Sequence, residues 1–294
     1  PPRSTLDRSS AASDVYKRQS YMWTITVFMA MLSFFILVLF ALFPTVIATH
    51  DPIAQDANSI LLAPSSIHLM GTDWAGRDIF SRVVHGTRIS LYIGIISITL
   101  ASTIGCITGI FSGYMGGYTD LIVQRIVDTL LGIPSIVMAL VIIVSFGSSA
   151  TAIAVAIAVA MTPQIVRLSR ATTLSIKTDI YIDAVESIGA TEGRIVFKHF
   201  MPNITPVMLS QITGYFGMAI VAETTLSFLG LGVAPPYSSW GRMIQEGSTQ
   251  YMETAPWTTL FPGFVMSVTV ICSAILGDSI GHILNKKHRI SKFL

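Results

Sequence analysis

An all-α membrane protein with about six transmembrane helices follows from three features of this chain: its composition, the lengths of its apolar blocks and the placement of its charges. Of its 294 residues 52% are hydrophobic and 12% charged, against about 25% charged in an ordinary soluble domain. The mean hydropathy is +0.67. The apolar residues lie in runs close to the roughly 20 that an α-helix needs to cross a bilayer core. A net charge of +2, with no basic patch interleaved with aromatic platforms, argues against nucleic acid as a partner. Lipid is the expected surroundings.

Residues 1–19 are set aside as a non-native or disordered tail. The chain opens Pro1-Pro2, and Asp14-Val15-Tyr16-Lys17-Arg18-Gln19 reads like the translation of a sequencing-library adaptor. Residues 20–88 then form a first transmembrane helix and an extracytoplasmic loop. The first span, residues 22–43, is free of charge and has Trp23 at its interfacial end. A polar stretch with several prolines and aspartates follows over 44–88.

Residues 89–285 are read as a five-helix core. Its opening span, 89–111, places Ser97, Ala101, Gly105, Gly109 and Gly113 four apart, a face without bulk against which another helix can pack backbone to backbone. After a glycine-rich turn comes a span over about 122–144, interrupted by Arg125, Asp128 and Pro134. The next, 150–166, alternates Ala with Ile or Val. It is assigned as helix because an unpaired strand cannot satisfy its backbone in lipid. A loop of helical composition fills 167–202, spans follow at about 206–229 and 260–283, and a basic tail fills 286–294.

With the amino terminus inside, six spans leave only Arg77, Arg82, Arg88 and Arg242 outside among the eighteen Lys and Arg, as the positive-inside rule favours. Both termini are then cytoplasmic. Cys106 and Cys272 lie within apolar blocks, with neither disulfide nor metal-ligand spacing. The six histidines form no i,i+4 pair, and no metal site is expected. No phosphate-binding loop, HExxH or nucleophile-elbow pattern occurs, so the chain is read as non-catalytic.

Asp128, Glu223 and Asp278 are the ionisable groups in or beside the spans, where such groups are functional candidates. All three lie within two turns of a span end. A structural hydrogen bond or a hydrated vestibule is therefore preferred to a direct substrate role.

The informative segment is Tyr181-Ile182-Asp183-Ala184-Val185-Glu186-Ser187-Ile188-Gly189-Ala190-Thr191, followed by Phe197-Lys198-His199-Phe200-Met201-Pro202-Asn203. A short helix ended by a glycine in a left-handed conformation, then a second helix, makes a compact knob. The pattern resembles the EAA loop of bacterial ATP-binding-cassette importers, with Asp183 for the usual Glu, Val185 for the second Ala, and His199 and Met201 at the Ile and Leu positions. The spacing Asp183–Gly189–Pro202 is intact. Two further stretches, Gly71-Thr72-Asp73-Trp74-Ala75-Gly76-Arg77-Asp78 through Arg82, and Ala222-Glu223-Thr224-Thr225-Leu226-Ser227-Phe228-Leu229-Gly230 with Pro235-Pro236 and Ser239-Trp240-Gly241, resemble the dipeptide/oligopeptide/nickel permease family, in particular its second, C-type permease.

That resemblance implies a type I importer permease fold with a cytoplasmic coupling-helix loop in the cell (inner) membrane of a bacterium or archaeon. It implies a heterodimer with a second homologous permease, two cytoplasmic ATPase subunits and an extracytoplasmic solute-binding protein. ATP and Mg²⁺ would be held by the ATPases, so this chain would need no cofactor. Tyr181, Asp183, Ala184, Val185, Gly189, Ala190, His199 and Pro202 would form the ATPase-docking loop. The segments 73–82 and 230–240 would face the binding protein. Peptides are the expected solute, with nickel or another small solute as the alternative within the family. A secondary transporter, which would need broken helices such as Pro134 and Pro163 could supply, or a membrane scaffold, remain the alternatives outside it.

Overall fold

The computed structural model describes the backbone of residues 4–291 and the side chains of residues 23–185 and 187–284. Five helices are long and apolar enough to cross a membrane, and a bent pair makes a sixth span if its halves are counted together. The first, α1, runs Ser4–Leu42. Its side chains before Trp23, and with them the reading of residues 1–19 as a non-native tail, lie outside the described residues. Its apolar flank is open, with Phe28 and Phe35 more than half exposed, as suits a helix facing lipid. A single turn, α2 (Pro44–Ile47), follows.

The second span starts earlier than residue 89. Helix α3 runs Ile79–Met115, its first turn capped by Asp78, whose side chain accepts the Ser81 N–H. The ten extra residues include Ser81, Arg82 and Thr87, polar side chains that the folded chain buries. At 1.5 Å per residue the helix is about 55 Å long, so it links both ends of the molecule.

The third span is broken. Helices α4 (Gly117–Leu131) and α5 (Ser135–Phe146) meet at 85° across a break that ends at Pro134. Proline has no N–H to continue the ladder and clashes with the preceding turn. By contrast, Pro163 sits inside an unbroken α6 (Ala150–Lys177), which carries the fourth span eleven residues past 166. The loop expected over 167–202 therefore begins only after Lys177.

Next come α7 (Ile180–Ser187) and α8 (Glu192–Ile195), then a π-helical turn (Val196–Phe200) leading into α9 (Met201–Leu226). Pro202 explains the widened turn: with no N–H at the start of α9 the regular ladder is interrupted, and Met201 N–H reaches back to Val196 O instead. The region 230–259 contains a helix that composition concealed, α10 (Trp240–Gln250), and α11 (Trp257–Ser291) completes the chain.

Helices α3 and α6 form the central pair, and α9 packs on α11. The small-residue row of α3 is buried and faces α6 of the same chain. A Cβ on Gly105 would lie 2.7 Å from Ile165, one on Gly109 1.9 Å from Ser169 Oγ, and one on Gly113 3.0 Å from Thr173. Hydrogen bonds cross the same seam: Ser97 Oγ donates to Ala154 O at 3.0 Å and Ser169 Oγ to Gly105 O at 2.9 Å. Ala101 is fully buried in that row. A second seam, not noticed in the sequence, joins α9 to α11, where Ser210 Oγ donates to Gly277 O at 2.8 Å and Gly217 closes on Ser273.

Candidate docking loop and cap

The loop between α6 and α9 is a helix, a tight turn and a second helix. Its turn is a Schellman closure: Ala190 N–H donates to Val185 O at 3.3 Å, and Gly189 between them has φ +76°. A Cβ at Gly189 would meet nothing within 4 Å, so the glycine is required by backbone conformation and not by crowding. Asp183 in the first turn of α7 and Ala184 are exposed. Val185 and Ala190 pack inward against the core.

The knob is braced from within. Ile182 is buried. Tyr181 Oη accepts from Asn203 Nδ2 at 2.9 Å, the same amide donates to His199 O at 2.6 Å, and the Tyr181 and His199 rings lie 6.2 Å apart. Burial pushes the Tyr181 phenol above its usual pKa. Phe200 is fully buried and meets Tyr114 edge to face at 5.5 Å, while Lys177 Nζ donates to Tyr114 O at 2.6 Å. At the same end Arg170 makes a two-pronged contact with Asp120. The knob is thus tied to the ends of α3, α6 and α9, and α6 in turn to α4. Ile180, Ile188 and Phe197 of this loop are exposed, at 86%, 82% and 74%.

The three ionisable candidates separate. Asp128 is an exposed partner of Arg167, and Asp278 is exposed on α11. Glu223 is fully buried. Its Oε1 accepts from Ser227 Oγ at 2.8 Å and from Ser239 Oγ at 2.7 Å, with the Ser90 hydroxyl beside it. Ser239 in turn caps α10, whose first residue, Trp240, donates from Nε1 to Val83 O at 3.2 Å.

A cap built by residues 44–82 and α10 covers that end of α3. Asp73 Oδ2 lies 2.7 Å from Arg77 Nε and 3.4 Å from Arg82 Nε, and Glu246 takes Arg77, Arg82 and Arg242 at 2.9–3.5 Å. These charges are largely buried, so most of 73–82 is packed inward. Only Trp74 of 71–82 is exposed, and Tyr237, beside the cis Pro235-Pro236 bond, is the other exposed aromatic there. Beside the cap cluster, His50, His68 and Asp78 converge from separate turns. No local spacing announced that meeting.

The fold and its braced loop define a multi-pass permease of the ATP-binding-cassette importer kind. The chain belongs to the family of binding-protein-dependent transport system inner membrane components, whose model matches residues 105–290. It is 35% identical over 250 residues to the dipeptide transport system permease protein DppC of Alkalihalophilus pseudofirmus, covering 85% of this chain and 82% of that one. It is 37% identical to the glutathione transport system permease protein GsiD of Pectobacterium atrosepticum, covering 76% and 74%. In fold it matches a chain of the methionine ABC transporter MetNI in inward-facing conformations, with a TM-score of 0.58 at 19% identity over 70% of this chain and 97% of that one.

Proposed function

We propose that this permease forms half of the translocation pathway of an importer for short peptides, as a non-catalytic subunit paired with a second related permease. Two cytoplasmic ATPases would hold ATP and Mg²⁺, and an extracytoplasmic binding protein would deliver the solute. The peptide assignment is supported by relatives named for dipeptide and glutathione transport. In this reading both termini and the knob are cytoplasmic and the cap is extracytoplasmic.

The observation that carries the docking role is the pairing of a braced interior with an apolar tip. Ile180, Ile188 and Phe197 are exposed on the loop that turns at Gly189, and large exposed apolar side chains on an aqueous loop mark a protein contact. The ATPase groove is the occupant proposed. Because Tyr114, Lys177 and Phe200 tie the knob to the helix ends, force applied there moves the ends of α3, α6 and α9 together.

Orientation is tested by cysteine labelling in a background without Cys106 and Cys272. A cysteine at Ser187 should react only from the cytoplasmic side and one at Tyr237 only from outside. Docking is tested by purification in mild detergent, where an ATPase should be retained with the parent. It should be lost from an Ile188→Asp, Phe197→Asp variant of unchanged melting temperature. Retention by that variant would contradict the assignment.

A further inference from the structure

Outside the loop and the spans, one cluster among the described residues gathers strong ligands. His68 Nδ1 lies 3.0 Å from Asp78 Oδ1 and His50 Nδ1 3.8 Å from the same oxygen, and the three ligand atoms fall within 4.8 Å of one another. Donors bound to a tetrahedral metal at about 2.0–2.2 Å stand roughly 3.3–3.6 Å apart. The two distances straddle that value. A carboxylate–histidine hydrogen bond accounts for His68 alone. His50 is too far from Asp78 for one; among the described residues its Nδ1 bonds the neighbouring Thr49 hydroxyl at 3.0 Å, and its ring lies 4.8 Å from that of His68.

The ligands are held by their own backbones. His50 N–H donates to Ser81 Oγ at 3.0 Å and His68 N–H to Ser65 Oγ at 3.1 Å. Asp78 uses Oδ2 for the Ser81 N–H, leaving Oδ1 for one-oxygen ligation. Such outer contacts orient metal ligands. The site opens on a cleft of ≈ 410 Å³ that is also lined by Asp51 and Asp56, with no Lys or Arg in its wall. A cation therefore has an approach of favourable sign, and room remains for a fourth ligand.

We propose that His50, His68 and Asp78 bind a divalent transition-metal ion. Two imidazoles with one carboxylate suit Zn²⁺, Ni²⁺ or Co²⁺ rather than Ca²⁺ or Mg²⁺. The ion would pin the segment after α2 to the start of α3, and the proposal is independent of which solute is carried.

The test is calorimetric titration of Zn²⁺ into tag-free, EDTA-treated full-length protein in detergent. One ion per chain should bind. Affinity should fall about tenfold or more in His50→Ala and in His68→Ala, the scale of loss seen even for outer-shell partners, and stay unchanged in His282→Ala at the other end of the bundle. Should the cap variants not fold, the parent alone decides: Zn²⁺ should raise its melting temperature and EDTA reverse the rise. Saturable binding that survives in both cap variants, or a parent that neither binds Zn²⁺ nor gains thermal stability from it, would overturn the proposal.

Discussion

The Ser239 hydroxyl donates to Glu223 Oε1 across 2.7 Å, and this bond joins the end of α9 to the residue that caps α10. Ser227 gives the same oxygen a second bond at 2.8 Å. A fully buried carboxylate in this setting fastens the cap to the bundle. Glu223→Leu would leave two buried hydroxyls without an acceptor, a loss of about 1–3 kcal/mol. Glu223→Gln keeps a carbonyl oxygen in place and should lose much less. Thermal melting of the purified permease separates the two, and equal melting of Leu and Gln variants would contradict a fastening role.

The α3–α6 seam predicts a graded series. A Cβ at Gly109 would stand 2.4 Å from the Val166 carbonyl as well as against Ser169 Oγ, whereas one at Gly105 would press mainly on the Ile165 side chain. Backbone cannot yield as a side chain can, so Gly109→Ala should cost about 1–3 kcal/mol and Gly105→Ala less. Thr103→Leu, at an exposed position, should melt with the parent. Ser169→Ala should relieve only part of the Gly109→Ala defect, because Val166 O stays in place. Equal melting of all the variants would mean that the row is not a contact.

The cap cluster predicts a strong coupling. Glu246 serves Arg77, Arg82 and Arg242, so among the described residues Glu246→Gln leaves Arg77 and Arg82 to Asp73 and Arg242 without a carboxylate. Breaking a buried pair from one side costs about 3–5 kcal/mol, and the 17% exposure of Glu246 places this case toward the lower figure. Arg82→Leu combined with Glu246→Leu should recover part of the loss in a double-mutant cycle. Additive losses would show that the two charges do not depend on each other.

Much of this architecture was legible because its signals are local. The apolar runs marked the spans, the four-residue period of Gly105, Gly109 and Gly113 marked a close contact, and the Asp183–Gly189–Pro202 spacing marked the knob. Features that depend on the folded cap were not legible. Residues 79–88 read as loop because of polar groups such as Arg82, whose partner Glu246 lies more than a hundred and sixty residues away. Likewise α10 hides in a Gly- and Pro-rich stretch, and His50, His68 and Asp78 meet only through tertiary turns. The 85° bend was half legible. Pro134 was seen, but an interrupting proline alone did not distinguish it from Pro163, which α6 absorbs.

The central claim is that the knob transmits ATPase action, and Gly189 tests it most directly. At φ +76° with open space around it, Gly189 is required by backbone conformation, and a β-branched residue there is strained, since a Cβ in the left-handed region costs roughly 1–2 kcal/mol. Asn, which enters that region readily, should substitute for it. In the reconstituted transporter, ATP hydrolysis stimulated by the loaded binding protein should be lost in Gly189→Val and kept in Gly189→Asn, with both permeases full length and inserted. A Gly189→Val transporter that hydrolyses ATP and imports solute at the parental rate would contradict the account.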